Sequence, residues 1–170
     1  NIEGYPNKEF IDLVKEVNPH QVTLVPDAPD VLTSNAGWDT IKNEAFLKEV
    51  ITDLKKQNIR VSLFMDTELA FIKKAVEIGA DRIELYTEHY ASNYNQKEKV
   101  ILPYLKSAKL ASELGLGINA GHDLSLENLR YFKQQIPELL EVSIGHALIS
   151  DALYFGLENT IQMYLRELKE

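Results

Sequence analysis

Two histidines in this sequence each follow a glycine at the end of a short apolar segment. The pairs are Gly121-His122, within INAGHDL, and Gly145-His146, within SIGHALI. A glycine lets the backbone approach a ligand closely, and the amides at the start of a following helix can bind a phosphate. The unperturbed pKa of histidine, about 6.5, suits proton transfer near neutral pH. Together the pairs favour a phosphate site with an acid or base, although each pair alone also fits a turn glycine beside a surface histidine.

Carboxylates accompany these histidines. Glu3 and Glu84 end apolar segments, where burial would raise a carboxyl pKa into the range of a general base, although Glu84 also fits a structural carboxylate. Asp123 follows His122, the better acid/base candidate, and also fits the cap of a helix beginning near Ser125. None of the four histidines has metal-ligand spacing to another, so we expect no metal site.

The elements that position these residues alternate along the chain. Strands are predicted for five short apolar runs rich in β-branched residues, and helices for the segments between them, whose apolar residues recur every three or four positions. Strands without a polar face, separated by helices, form a mainly parallel sheet covered by helices. The predicted strands are Gln21–Val25, Ile59–Met65, Arg82–Tyr86, Gly115–Asn119 and Leu140–Ile144, and the last predicted helical stripe is Leu153, Leu157, Ile161, Tyr164, Leu165 and Leu168.

The fold class is therefore α/β, but a closed barrel and an open doubly wound sheet share this alternation. A complete barrel of eight units takes about 250 residues. As a barrel, the 170 residues would form a single domain, 1–170, from the end of strand 3 through strand 8 and the C-terminal helix. Because the sequence opens at Asn1 rather than Met, with Asn1–Glu3 like the tail of a strand, we expect a chain truncated at its amino terminus.

Polar residues collect where the predicted strands end. In both architectures ligands bind at the carboxyl ends of the parallel strands, so we expect these side chains on one rim. The connection from Pro26 to Trp38 has no periodic pattern and is interpreted either as an active-site lid or as a surface loop without function. The expected rim comprises Glu3, Thr23, Asp66, Glu84, Asn119, His122 and His146.

Composition limits the partners. The formal net charge of −8 argues against nucleic acid and anionic membranes as partners, because Lys and Arg supply most of that binding. The sequence has no cysteine, which excludes disulfides and thiolate sites and is typical of a cytoplasmic protein. No run of about 18 apolar residues predicts a membrane helix.

Four segments resemble the pyridoxine 5′-phosphate synthase family: NAGHDL, SIGHALISDAL, VSLFMD and GADRIELYT. NIEG, HQVTLVPD and LTSNAGWD also look like that family and occur in the same order, so the resemblance covers essentially the whole chain. It implies a (β/α)8 TIM barrel assembled as a homo-octamer. It also implies condensation of 3-amino-2-oxopropyl phosphate with 1-deoxy-D-xylulose 5-phosphate, giving pyridoxine 5′-phosphate, inorganic phosphate and water, without a cofactor.

The resemblance also implies roles for individual residues. Glu3 matches the general base and His122 the proton donor, with Glu84 as an additional candidate. Glu88 stands where the family pattern has glycine, which affects the loop after the ELYT strand. Further functional groups of the family precede the first residue of this sequence, so we expect the chain alone to be inactive.

Substrate binding is implied for four further residues. Thr33 matches a contact to deoxyxylulose phosphate in the mobile lid, and Gly145 with His146 matches a pair that binds phosphate. Asp123 replaces a residue that is glycine in some members, so we expect its main chain to matter more than its carboxylate. The implied partners are thus phosphorylated small molecules and inorganic phosphate.

Two alternatives stay open at this point. A phosphosugar isomerase, epimerase or aldolase could use the same scaffold, although a Schiff-base aldolase needs a lysine at a strand end and none of the five predicted ends has one. A non-catalytic α/β module that only binds phosphate esters is the other alternative.

Overall fold

The computed structural model describes residues 1–27 and 36–169. Six strands alternate with helices along the described chain. The strands are β1 (Ile2–Gly4), β2 (Gln21–Leu24), β3 (Arg60–Met65), β4 (Arg82–Tyr86), β5 (Gly117–Gly121) and β6 (Leu139–Ser143). The helices are α1 (Lys8–Val17), α2 (Glu44–Lys55), α3 (Leu69–Glu77), α4 (Glu88–Ser92), α5 (Lys97–Val100), α6 (Leu102–Glu113), α7 (Leu129–Gln135), α8 (His146–Phe155) and α9 (Leu157–Glu167), with a 3₁₀ turn at Tyr94–Gln96 between α4 and α5.

All neighbouring strands pair in parallel, and their order in the sheet is their order in the chain, from β1 to β6. In a doubly wound sheet, the order of the strands reverses at a switch point. Among the described strands there is no such reversal, so the α/β prediction is confirmed in its barrel form. Because the carboxyl ends of parallel strands share one edge, this order alone brings the predicted rim residues to the same side.

The two faces of the sheet differ in character. One face packs under the helices and is apolar, with Val22, Leu63 and Ile83 fully buried in the main core. Alternate strand positions point to the opposite, concave face. That face is buried but polar: its members include Gln21, Thr23, Ser62, Glu84 and Asn119.

The predicted strand Gly115–Asn119 is wrong by two residues, since β5 spans Gly117–Gly121. Gly115 has φ +80° and follows the last turn of α6, a conformation that favours glycine at helix ends. The apolar residues before Gly117 therefore belong to the end of α6 and not to the strand. Asn119, predicted at the strand end, lies in the middle of β5.

The predicted C-terminal stripe is also only partly correct. Gly156, with φ +76°, separates α8 from α9, so one periodic segment forms two helices. Tyr164 is buried and donates a hydrogen bond from its hydroxyl to Asp151 at 2.8 Å. The four other large aliphatic residues predicted in the stripe that belong to these helices are exposed, and they are Leu153, Leu157, Ile161 and Leu165.

The predicted lid, Pro26–Trp38, is fixed at its carboxyl end. The Trp38 indole is buried and donates to the Leu24 carbonyl at 2.9 Å, and the Gly37 amide donates to Asp66 at 2.9 Å. Trp38 is therefore part of the core and not of a lid. Residues 28–35, including Thr33, lie outside the described residues. Among the described helices, none combines the length and apolar character needed to cross a membrane.

Candidate active site

A cleft of about 790 Å³ opens at the carboxyl edge of the sheet. It brings together residues from strands that are far apart in the sequence: Glu3 from β1, Glu84 from β4 and His122 directly after β5. Gly145 and His146, at the start of α8, line the same cleft. Five of the seven candidate residues thus share one cavity. Of the other two, Asp123 adjoins His122, and Thr33 lies outside the described residues.

Glu84 occupies the middle of β4 and is only 1% exposed. The hydroxyls of Thr23 and Ser143 approach its carboxyl oxygen at 3.3 and 3.4 Å. Burial, and after it the nearby Glu3 carboxylate, raise the pKa of Glu84 to about 8. A carboxyl with this pKa is mostly protonated at neutral pH and can donate a hydrogen bond or a proton to a ligand.

Gly121 leaves room for the Glu84 carboxyl beside the cleft, because it has no side chain. A Cβ atom on Gly121 would lie 2.6 Å from Glu84 Oε1 and 2.6 Å from the Ser143 carbonyl oxygen. Both distances are too short for a real side chain. Glycine at the end of β5 is therefore required by close packing against a buried carboxyl, whereas the sequence suggested a close approach of the backbone to a ligand.

Glu3 lies on the edge strand β1 and is exposed. Its only side-chain partner among the described residues is the Asn1 amide, which donates to Oε1 at 2.9 Å. Burial of both carboxylates was predicted; Glu84 is buried, whereas Glu3 is exposed in the described sheet, where β1 has a neighbouring strand on one side only.

His122 is held in a left-handed conformation, with φ +64°. Its amide donates to the Ser143 carbonyl at 2.9 Å, which extends the β5–β6 pairing by one residue. Its Nδ1 lies 2.9 Å from the Asp123 carboxylate. If Nδ1 carries the proton for this bond, Nε2 is the nitrogen left to exchange a proton with a ligand. The ring also meets the Tyr86 ring edge-on, with centroids 6.1 Å apart.

Asp123 does not cap a helix. The following helix, α7, begins at Leu129, and Ser125 precedes it in a loop where the Asn128 carboxamide accepts from the Ser125 amide at 2.9 Å. The expected helix start near Ser125 is therefore wrong. The Asp123 carboxylate bonds the His122 ring instead, so this side chain has a contact that the family pattern, with glycine in some members, did not predict.

Gly145 and His146 begin α8, a helix of ten residues. The N-cap residue, Gly145, has no side chain to cap the first turn, so the first amides can bind an anion, and the helix dipole favours negative charge there. Among the described residues, a Cβ on Gly145 would meet no atom within 4 Å. The His146 ring lies 6.0 Å from the His122 ring, measured between centroids.

Sequence reasoning missed the charged network beneath the cleft. Arg82 donates to Glu141 at 3.1 Å and to Asn119 at 3.0 Å, and Gln21 donates to Glu141 at 3.0 Å. Polar residues alternate with apolar ones in β4 and β6, and this period of two was the available signal. Within residues 1–27 and 36–169, no group of three or more His, Asp or Glu side chains could hold a metal ion.

Comparison with known proteins relates the whole chain to one family. The family model for the pyridoxal phosphate biosynthesis protein PdxJ matches residues 1–170. The pyridoxine 5′-phosphate synthase of Flavobacterium johnsoniae is 62% identical over 170 residues, covering 99% of this chain and 72% of that protein. The same enzyme of Cytophaga hutchinsonii is 61% identical over 171 residues, again covering 72% of its length.

Solved structures support the fold at low sequence identity. A mutant tryptophan synthase α-subunit from Pyrococcus furiosus matches with a TM-score of 0.60 at 14% identity, covering 98% of this chain and 64% of that chain. Phosphoribosylanthranilate isomerase from Thermotoga maritima matches with a TM-score of 0.53 at 14% identity, covering 95% of this chain and 66% of that chain. The six strands therefore correspond to part of a (β/α)8 barrel.

Proposed function

The chain belongs to the family of the pyridoxal phosphate biosynthesis protein PdxJ, and we propose that Glu3, His122 and Glu84 carry the proton transfers of its reaction. The function is that of a pyridoxine 5′-phosphate synthase, which condenses 3-amino-2-oxopropyl phosphate with 1-deoxy-D-xylulose 5-phosphate to pyridoxine 5′-phosphate, phosphate and water. A different phosphosugar enzyme or a non-catalytic module is set aside, because relatives about 60% identical are synthases. The observation that supports the three roles is that these side chains line one cleft.

The reaction joins an amine to a ketone, releases phosphate and water, and closes a ring, and each of these steps moves a proton. Glu3 is exposed to the cleft and acts as the general base. His122 acts as the general acid through Nε2, because Nδ1 faces Asp123 at 2.9 Å. Glu84, protonated at neutral pH, donates its proton to negative charge that develops on a bound intermediate.

Both substrates carry phosphate, whereas the chain has a formal net charge of −8. Binding therefore depends on local positive potential. Gly145 and the amide of His146 supply it at the uncapped start of α8. We assign further substrate contacts to Asp123, which adjoins His122, and to Thr33, which lies outside the described residues.

The proposal includes a homo-octamer in the cytoplasm. Exposed apolar side chains on α8 and α9, such as Leu153 and Tyr154, support assembly, because contiguous exposed apolar surface is uncommon on monomers. The lack of cysteine agrees with a reducing compartment.

Three variants of the intact enzyme separate chemistry from binding. Glu3→Gln and His122→Asn should each lower kcat by about 10²–10⁴-fold with little change in KM. Gly145→Val should raise KM strongly, because a β-branched side chain would obstruct a phosphate at the start of α8. It should leave the fold intact, because the added Cβ meets no atom of residues 1–27 or 36–169 within 4 Å. His89→Asn is the matched control for His122, since His89 is exposed on α4 and outside the cleft.

Steady-state kinetics and thermal melts decide between these roles. A well-folded His122→Asn enzyme with normal turnover would remove His122 from the mechanism. A Gly145→Val enzyme with normal KM would place the phosphate elsewhere.

A further inference from the structure

Thr87 is a fully buried hydroxyl between β4 and the turn that holds His122. It stands at the position that precedes α4, where a threonine normally accepts a hydrogen bond from the helix. Its side chain makes no such bond. Instead, Thr87 Oγ1 donates to the Gly121 carbonyl oxygen and accepts from the Asp123 amide at 3.3 Å.

The Gly121 carbonyl and the Asp123 amide are the two ends of the turn that contains His122. The Asp123 amide also donates to the Gly121 carbonyl at 3.0 Å, which closes a three-residue turn with His122, at φ +64°, in its centre. A γ-turn of this hand is rare and strained, and a left-handed residue other than glycine is held only where its surroundings enforce it. The Thr87 hydroxyl bridges the donor and the acceptor that define the turn.

We propose that Thr87 is a positioning residue for the reaction, whose hydroxyl fixes the turn that aims the His122 imidazole into the cleft. The inference rests on the acid role assigned to His122 under the proposed function. Thr87 itself does not line the cleft. It acts on the reaction through His122 and has no contact of its own with substrate.

The loop beyond the turn has separate supports. The Asn128 side chain accepts from the Ser125 amide at 2.9 Å and donates to the Asp123 carbonyl at 3.3 Å. The Tyr90 hydroxyl in turn donates to the Asn128 carbonyl at 2.7 Å. Loss of the Thr87 hydroxyl should therefore loosen the turn without unfolding the loop, so the position of the His122 ring is what changes.

Thr87→Val removes the hydroxyl and keeps the shape, whereas Thr87→Ser keeps the hydroxyl. In the intact enzyme, Thr87→Val should lower kcat by about 10- to 100-fold with KM within about threefold of wild type, since a misplacement of about 1 Å has effects of this size. Thr87→Ser should recover kcat to within about threefold of wild type. Thr160→Val is the control: its hydroxyl is equally buried and bonds the Gly156 carbonyl at 3.0 Å, outside the cleft. Its kcat should be unchanged.

The double variant Thr87→Val/His122→Asn tests whether the effect passes through His122. Its kcat should equal that of His122→Asn, because a hydroxyl that only positions the ring has nothing left to position. An additional loss in the double variant, a failure of Thr87→Ser to recover kcat, or a loss of kcat in Thr160→Val as large as in Thr87→Val would overturn the inference. Normal turnover in His122→Asn alone would instead refute the acid role on which it rests.

A crystal structure of Thr87→Val supplies a readout besides activity. We expect residue 122 to leave the left-handed region, with φ becoming negative. An unchanged φ of about +64° and an unmoved imidazole would contradict the proposal even if activity fell.

Discussion

Replacing Glu84 by Gln should stabilise the enzyme increasingly as the pH rises. The pKa of Glu84 is raised from its ordinary 4.5 to about 8, first by burial and then by the Glu3 carboxylate. Between these two values the folded protein keeps a proton that the unfolded chain has lost. Because the folded state then binds more protons than the unfolded state, this group lowers the free energy of unfolding as pH rises through the window. Gln at position 84 does not titrate, so its contribution to the free energy of unfolding does not change with pH.

The size of the stability difference follows from the width of the pH window between the two pKa values of Glu84. Each pH unit inside it corresponds to about 1.4 kcal/mol, so the stability difference between Glu84→Gln and wild type should widen by at most about 3 kcal/mol from pH 5 to pH 7. In a domain of this size that corresponds to roughly 6–12 °C in Tm.

Thermal melts of both proteins at pH 5, 6 and 7 test the reasoning. Glu98→Gln, which removes an exposed carboxylate on α5, is the matched control for the loss of one negative charge. A Tm difference between Glu84→Gln and wild type that stays constant with pH, or that shrinks as pH rises, would refute a raised pKa at Glu84. The same variant should lose activity, since Gln cannot transfer a proton.

Three further predictions follow from the packing and surface. Gly121→Ala should lower stability by about 1–3 kcal/mol and reduce kcat, because its Cβ would lie 2.6 Å from Glu84 Oε1; melts and kinetics of this variant check both effects. Arg82→Met leaves the Glu141 carboxylate without its guanidinium partner at 3.1 Å, and urea unfolding should show a loss of about 1–3 kcal/mol for this partly buried pair. Leu153→Glu places a charge on a side chain that is 83% exposed, and sedimentation velocity should show smaller assemblies if α8 contributes to the proposed octamer.

Much of the fold was predictable because strands buried in a parallel sheet have a recognisable amino-acid composition. Runs such as Ile59–Met65 are buried on both faces in a parallel sheet, so they are short, rich in apolar residues and distinct from helical periodicity. The β5 boundary was harder, since the apolar run before Gly117 belongs to the end of α6. Gly115 was the available signal, because glycine is common just beyond helix ends.

Other features depend on tertiary context that periodicity does not contain. The stripe through Leu153 and Leu157 has the correct spacing for a buried helix face, but spacing does not reveal whether another element covers it. Similarly, Glu3 ends an apolar segment as Glu84 does, yet only Glu84 has a paired strand on both sides in the described sheet, and Glu3 is exposed there. The φ of His122 has no local signal, because histidine adopts it only where neighbours such as Thr87 compensate the strain.

The polar residues inside the sheet connect these observations to function. Barrel interiors are usually filled by branched apolar side chains, whereas Thr23, Glu84 and Asn119 are fully buried here. Burying a carboxyl costs free energy that weak hydroxyl contacts at 3.3 and 3.4 Å offset only in part. A sequence selected for stability alone would replace Glu84 with an uncharged residue. Stabilisation by Glu84→Gln at neutral pH together with loss of turnover would therefore identify the buried carboxyl as a group kept for chemistry at the expense of stability.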